Sequence, residues 1–201
     1  MTVGGGTGAV RITSGRLRGR RVETPPGERT RPLLTRLRKS LADILRPRLE
    51  GARVLDLFAG SGAIAFELLS NGARRAVAVE LDPATAELVR RNARALGVAD
   101  AVDVREGDAL AWIPRLAAAG ERFDVVVVAP PYGRDLHRRA IAELEAFPLL
   151  REGGLLVAQR DVREPPAEPA GHGLRLHRTR TYGRTAFDFY AWEPGRTPSE
   201  P

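Results

Sequence analysis

Hydrophobic positions along this chain repeat with two different periods, and the switches between them mark out its elements. Leu33, Leu34, Leu37, Leu41, Ile44, Leu45 and Leu49 recur every three or four residues, which predicts a helix with one buried stripe. After Gly51, short apolar runs alternate with longer amphipathic ones. Strands are expected at Arg53–Leu57, Ala76–Leu81, Ala101–Arg105, Phe123–Val128 and Leu155–Gln159. Helices are expected at Ala63–Ser70, Pro83–Leu96, Ala109–Ala118 and Leu136–Leu150. Asp82 followed by Pro83 supplies an N-cap and a first-turn proline. The valine run Val125–Val128 reads as a strand buried on both faces, as in a parallel sheet. Leu174–Arg180 and Thr185–Trp192 flank TyrGlyArg and predict a closing antiparallel hairpin. The whole is an α/β fold, a doubly wound and mostly parallel seven-stranded sheet with right-handed crossovers.

Pro- and Gly-rich stretches divide the 201 residues into one domain with an appendage. Residues 1–9 read as a glycine-rich leader and 194–201 as a tail, both flexible. Residues 10–50 form a basic arm and helix, and 51–193 the α/β domain.

Charge is concentrated in that arm. The formal net charge is +7, and between Arg11 and Lys39 ten Lys/Arg face only Glu23 and Glu28. Such a block favours a polyanionic partner, and Arg16, Arg18, Arg20, Arg21, Arg31, Arg36 and Arg38 are its candidate nucleic-acid contacts. No run of about 18 apolar residues exists, so no membrane span is expected. The chain has no cysteine, which excludes disulfides, thiolate metal sites and cysteine nucleophiles. His137, His172 and His177 lack metal-ligand spacing, so no metal is expected. A cytoplasmic protein fits this usage, and nothing demands more than a monomer.

The chemistry lies at strand ends. Strand one runs into AspLeuPheAlaGlySerGly, Asp56 to Gly62, where two glycines let the backbone approach a ligand ahead of a helix. Glu80 ends strand two, where a carboxylate can grip ribose hydroxyls, and Asp108 follows strand three, where it can accept from an adenine amine. Gly60, Gly62 and Ala65 also satisfy the loose dinucleotide pattern. Asp56 favours a cationic cofactor over a pyrophosphate, since an uncompensated like charge at about 4 Å costs roughly 4 kcal/mol at an effective dielectric of 20. Three carboxylates at successive strand ends therefore point to S-adenosyl-L-methionine, with NAD as the alternative. Strand four ends AlaProProTyr, Ala129, Pro130, Pro131 and Tyr132, which sets outward carbonyls and an aromatic ring where ligands sit in open α/β sheets.

AspLeuPheAlaGlySerGly resembles the first motif of Rossmann-like S-adenosylmethionine-dependent methyltransferases. AlaProProTyr resembles their Asp/Asn-Pro-Pro-Tyr/Phe motif. Val10–Val22, Arg31–Pro32 and Tyr182–Tyr190 are similar to the RsmD family, which modifies guanine N2 in 16S ribosomal RNA. The resemblance spans roughly residues 10 to 193. It implies that Asp56, Phe58, Gly60, Ser61 and Gly62 line the methionine part of the cofactor, that Glu80 holds the ribose with Leu81 beside the adenine, and that Asp108 and Ala109 meet the adenine edge. It implies that Tyr132 stacks on an extruded base whose amino group meets the Pro130 region, in 16S rRNA or a small-subunit particle. Leu33, Leu34 and Thr35 depart from the family pattern, while Arg36 and Arg38 match it.

Ala129 stands where the motif has Asp or Asn. Losing a preorganised polar contact there costs about 3–4 kcal/mol by analogy with removed oxyanion donors. Asp124 sits at the strand's other end and cannot replace it. Either the backbone carbonyls of Ala129 and Pro130 serve, or the acceptor comes from elsewhere, or the target differs, or the protein binds RNA without methylating it.

Overall fold

The computed structural model describes residues 8–25, 32–133, 135–171 and 173–193. Arg31, His172, the tail and all but the end of the leader lie outside this set. Two short strands, β1 (Ala9–Arg11) and β2 (Arg21–Glu23), pair antiparallel. Helix α1 (Pro32–Leu45) and a 3-10 turn (Arg46–Arg48) follow. Then come β3 (Arg53–Asp56), α2 (Ala63–Ser70), β4 (Arg75–Glu80), α3 (Pro83–Leu96), β5 (Val102–Glu106), α4 (Ala109–Ala118), β6 (Phe123–Val128), α5 (Leu136–Ala146), β7 (Leu150–Asp161), β8 (Leu174–Tyr182) and β9 (Thr185–Trp192).

The large sheet has the order β5-β4-β3-β6-β7-β9-β8. Strands β3 to β7 pair in parallel, and β9 runs antiparallel to both β7 and β8. Strand order reverses between β3 and β6. Such a switch point opens a crevice at the carboxyl ends of the strands, and both the glycine loop and AlaProProTyr leave the sheet there.

Three elements differ from the sequence expectation by two residues or more at an end. Helix α5 stops at Ala146 rather than Leu150, because Pro148 removes a backbone donor and restricts the residue before it. Leu150 instead opens β7, which reaches Asp161 and absorbs Gly153 and Gly154. The ladder to β6 slips between Phe123 and Val125 to accommodate them. Strand β8 likewise runs past Arg180 to Tyr182, with a register shift between Leu176 and Arg178.

The basic arm shares its core with the α/β domain. Val10, Ile12, Leu17, Val22, Leu37 and Leu41 are buried in one cluster with Phe66 and Leu69 of α2. Each such side chain contributes roughly 1.5–3 kcal/mol relative to exposure. No helix among the described residues is long and apolar enough to cross a membrane.

Buried polar groups fix the arm in detail. Glu67, 1% exposed, accepts hydrogen bonds from Thr13 N at 3.0 Å, Thr13 Oγ1 at 2.6 Å, Ser14 N at 2.9 Å and Ser14 Oγ at 3.1 Å. Ser70 Oγ accepts from Leu17 N at 2.9 Å, and the Ser70 carbonyl accepts from Arg16 N at 2.8 Å. Gly15 makes this docking sterically feasible. Its φ is +76°, and a Cβ there would lie 1.9 Å from the Ser70 carbonyl oxygen. The turn carrying Arg16, Arg18 and Arg20 is thereby seated on the last turns of α2, with all three side chains exposed.

Candidate active site

The glycine loop is organised by its neighbours. Leu57 donates to the Val127 carbonyl and Ala59 to the Val79 carbonyl, so the loop is tied to both flanking strands. Gly62 takes φ +80° as the N-cap of α2, and a Cβ there would meet the Phe66 ring at 2.7 Å. Gly60 has φ +53° with open space where a Cβ would be. Ser61 is buried, and its carbonyl accepts from Asn92 Nδ2 at 3.1 Å.

The three strand-end carboxylates have three different environments. Glu80 touches the loop directly. One of its oxygens accepts Gly60 N at 2.8 Å and the other Asp82 N at 3.0 Å; each retains a lone pair for a further donor. Asp108 caps α4 by accepting Leu110 N at 3.0 Å, and Ala109 is buried in the first turn of that helix. Leu81 is 68% exposed beside them.

Asp56 departs from the expectation that it lines the cleft. It is fully buried, and neither carboxylate oxygen has a hydrogen-bond partner among the described residues. Burial pushes its pKa from 3.8 up to about 7. The Phe58 and Ala65 backbone N–H groups oppose that rise without reaching hydrogen-bond geometry, and Glu80 adds a little to it. Asp56 is therefore a buried acidic group at the end of β3 rather than part of the cavity wall.

On the other side of the switch point, Pro130 is buried while Pro131 and Tyr132 are exposed. The Tyr132 hydroxyl pairs with Thr185 Oγ1 at 2.9 Å and accepts from Gln159 Nε2 at 2.9 Å. Gly133 N donates to Glu164 Oε1 at 3.0 Å. The loop after β6 is thus fastened to β7, to the segment that follows it and to β9. Asp124, at the far end of β6, accepts from Arg53 N and from Arg151.

A cavity of about 160 Å³ joins the two halves of the site. Phe58, Gly60 and Ser61 border it from the glycine loop, Ala129 from just past β6, Gln159 from β7, and Thr24 and Arg38 from the arm and α1. Thr24 is 1% exposed, and its hydroxyl oxygen has no hydrogen-bond partner among the described residues.

The basic residues divide between two surroundings. Arg16, Arg18, Arg20, Arg21 and Arg36 are exposed. Arg38, expected with them on the outer face, is half-buried instead, bordering the cavity and donating to the Arg11 carbonyl at 3.3 Å. Helical geometry explains this, since Arg38 follows Leu37 and precedes Leu41, both buried. Tyr182, which opens the C-terminal segment of the resemblance, also reaches the helix of the arm, its hydroxyl lying 2.5 Å from Ser40 Oγ on α1.

Thr24, Gln159 and Glu67 were not among the residues expected from sequence. None of the three carried a local signal. Gln159 ends the expected strand Leu155–Gln159, and it is the structure's pairing of Val128 with Ala158 that sets it next to Ala129.

The family model described as Conserved hypothetical protein 95 matches residues 10–191. Ribosomal RNA small subunit methyltransferase D of Escherichia coli (strain K12) is 33% identical over 189 residues, covering 94% of this chain and 92% of that protein. The solved structure of yhhF from Escherichia coli aligns with a TM-score of 0.79 at 32% identity, over 93% of this chain and 99% of the other. An RNA methyltransferase from Salinibacter ruber, solved in complex with S-adenosyl-L-homocysteine, shares the fold at a TM-score of 0.59 and 21% identity, over 86% and 97%.

Proposed function

The chain belongs to the Conserved hypothetical protein 95 family, and we propose that it is an S-adenosyl-L-methionine-dependent rRNA methyltransferase that modifies the N2 amino group of a guanine in 16S ribosomal RNA. The single observation that carries the reading is the shared cavity. Gly60 and Ser61 of the glycine loop border it together with Ala129 of AlaProProTyr.

The residues present suit the cofactor. Asp56 is buried with both oxygens unpartnered among the described residues, an arrangement relieved by a cationic ligand and aggravated by a pyrophosphate. The same contrast disfavours NAD. Phe58, Gly60 and Ser61 would hold the methionine part, Glu80 the ribose, and Leu81 and Asp108 the adenine side. When bound, the cofactor supplies an electrophilic methyl group on a sulfonium.

The protein's own contribution is chiefly positioning. Pro130 and Pro131 fix the direction in which the chain leaves β6. Tyr132, pinned through its hydroxyl, offers a ring face to a base. Extruding that base costs a few kcal/mol, and stacking on the ring returns about 1–3 kcal/mol. The exposed arginines of the arm hold the RNA backbone.

The test is methyl transfer to small-subunit RNA or particles lacking the modification, with the product nucleoside identified by mass spectrometry. N2-methylguanosine is the expected product. Methylation at another position rejects the target. RNA binding without transfer, the outcome that Ala129 favours, rejects the enzyme reading in favour of an RNA-binding protein of the same fold.

A further inference from the structure

We propose that Gln159 supplies the hydrogen-bond acceptor that Ala129 lacks, so that the amino group being methylated is held by a side chain from the neighbouring strand. The inference rests on the methyltransferase reading above and assigns a group to its reacting centre.

Four observations place Gln159 there. Val128 and Ala158 are register partners in parallel strands, so Ala129, just past the end of β6, lies beside Gln159, which is still within β7. Both border the cavity that Gly60 and Ser61 border. The Gln159 amide nitrogen is committed to the Tyr132 hydroxyl at 2.9 Å, which fixes the plane of the amide. Its amide oxygen has no hydrogen bond among the described residues, and in a primary amide that atom is an acceptor only.

The backbone around Gln159 is firmly held. The next residue, Arg160, is buried and donates from Nε to Asp188 at 2.6 Å and from Nη1 to the Glu164 carbonyl at 2.6 Å. Thr185, which meets the Tyr132 hydroxyl, is itself buried. The same hydrogen bond that orients the Tyr132 ring therefore orients the Gln159 carbonyl. One side chain positions the stacking surface and receives an amino N–H.

The step balances without a protein base. With the cofactor bound, the bond from its sulfur to the methyl carbon would break and leave its electron pair on sulfur as a neutral thioether. A new N–C bond forms from the amino lone pair. The amino group then loses one proton to water. An acceptor on one N–H draws electron density onto nitrogen as that bond forms and fixes the direction of its lone pair.

The experiment compares kcat for methyl transfer to unmodified small-subunit particles in the wild type, Gln159→Leu, Tyr132→Phe, Ala129→Asn and the double variant Gln159→Leu/Ala129→Asn, with cofactor affinity measured by calorimetry for each. Gln159→Leu is expected to lower kcat by about 100-fold, the scale of one lost preorganised contact, with cofactor affinity unchanged. Adding Ala129→Asn is expected to restore most of that loss, because it returns an acceptor to the same place. Tyr132→Phe, which breaks the bond but leaves the amide oxygen, is expected to cost less than Gln159→Leu. If Gln159→Leu fails to fold, Gln159→Met, similar in length and without an amide, replaces it throughout. Full activity in Gln159→Leu overturns the inference. So does a loss that Ala129→Asn does not relieve and that Tyr132→Phe equals, since Gln159 would then serve only to hold the tyrosine. A wild type that binds cofactor and transfers nothing is a different failure; it removes the methyltransferase reading and this inference with it.

Discussion

The Glu80 carboxylate accepts the Gly60 N–H at 2.8 Å, so the end of β4 holds the loop that follows β3. Glu80→Ala removes that hold and leaves two backbone donors to water. Cofactor affinity is expected to fall at least 10-fold, and stability by about 1–3 kcal/mol for the lost charge-assisted bonds. Calorimetric titration and denaturant unfolding measure the two effects separately. Unchanged affinity would detach Glu80 from the cofactor site.

Asp56 predicts a pH dependence with a definite sign. Its pKa is about 7 in the folded protein against 3.8 as the ordinary value. Between those values the folded state keeps a proton that the unfolded state has lost. Stability of the cofactor-free protein therefore falls as pH rises from about 4 to about 7 and levels off above that. The span corresponds to about 4 kcal/mol. Asp56→Asn should flatten this dependence and raise stability at pH 8 while weakening cofactor binding. Denaturant unfolding at pH 5 and pH 8 checks it, and a wild type equally stable at both ends of that range contradicts it.

Gly15→Ala places a methyl group 1.9 Å from the Ser70 carbonyl oxygen at a φ of +76°. The turn cannot keep its seat, and destabilisation well above 1 kcal/mol is expected. Thermal unfolding reads it directly. RNA affinity should fall as well, since Arg16 and Arg18 lose their fixed placement.

Glu67→Ala leaves the Thr13 and Ser14 donors without their acceptor in a buried setting. The expected cost is about 3 kcal/mol. Faster hydrogen exchange at Thr13 and Ser14, with β3 to β6 still protected, would show that the damage is local.

Arg36 and Arg38 should separate by salt dependence, although they sit two residues apart. Arg36 is exposed, and Arg36→Ala is expected to lower the slope of log affinity against log salt by about one. Arg38 borders the cavity, and Arg38→Ala is expected to leave that slope unchanged while weakening the cofactor. Filter binding across a salt series decides between the two roles.

The sheet was legible because its signals are local. The valine run of β6, Asp82 with Pro83, and the glycine loop each declare an element within a few residues. The ends of α5 and β7 were less so, because GlyGly at Gly153 reads as a turn until the pairing with β6 shows a strand that slips its register. In the candidate site, residue types were readable and surroundings were not. Asp56 looked like a cleft carboxylate, and its burial depends on the packing around the end of β3. Arg38 looked like Arg36 until the direction of the α1 stripe was known. Gln159 depends on a strand alignment that no local pattern encodes.

Helix α2 begins at Gly62, where the glycine loop ends, and finishes at Ser70, whose carbonyl seats the arginine turn. Eight residues of helix measure about 12 Å. The helix is in effect a rigid strut, and its length sets how far the seat of the arginine turn stands from the loop proposed to hold the cofactor.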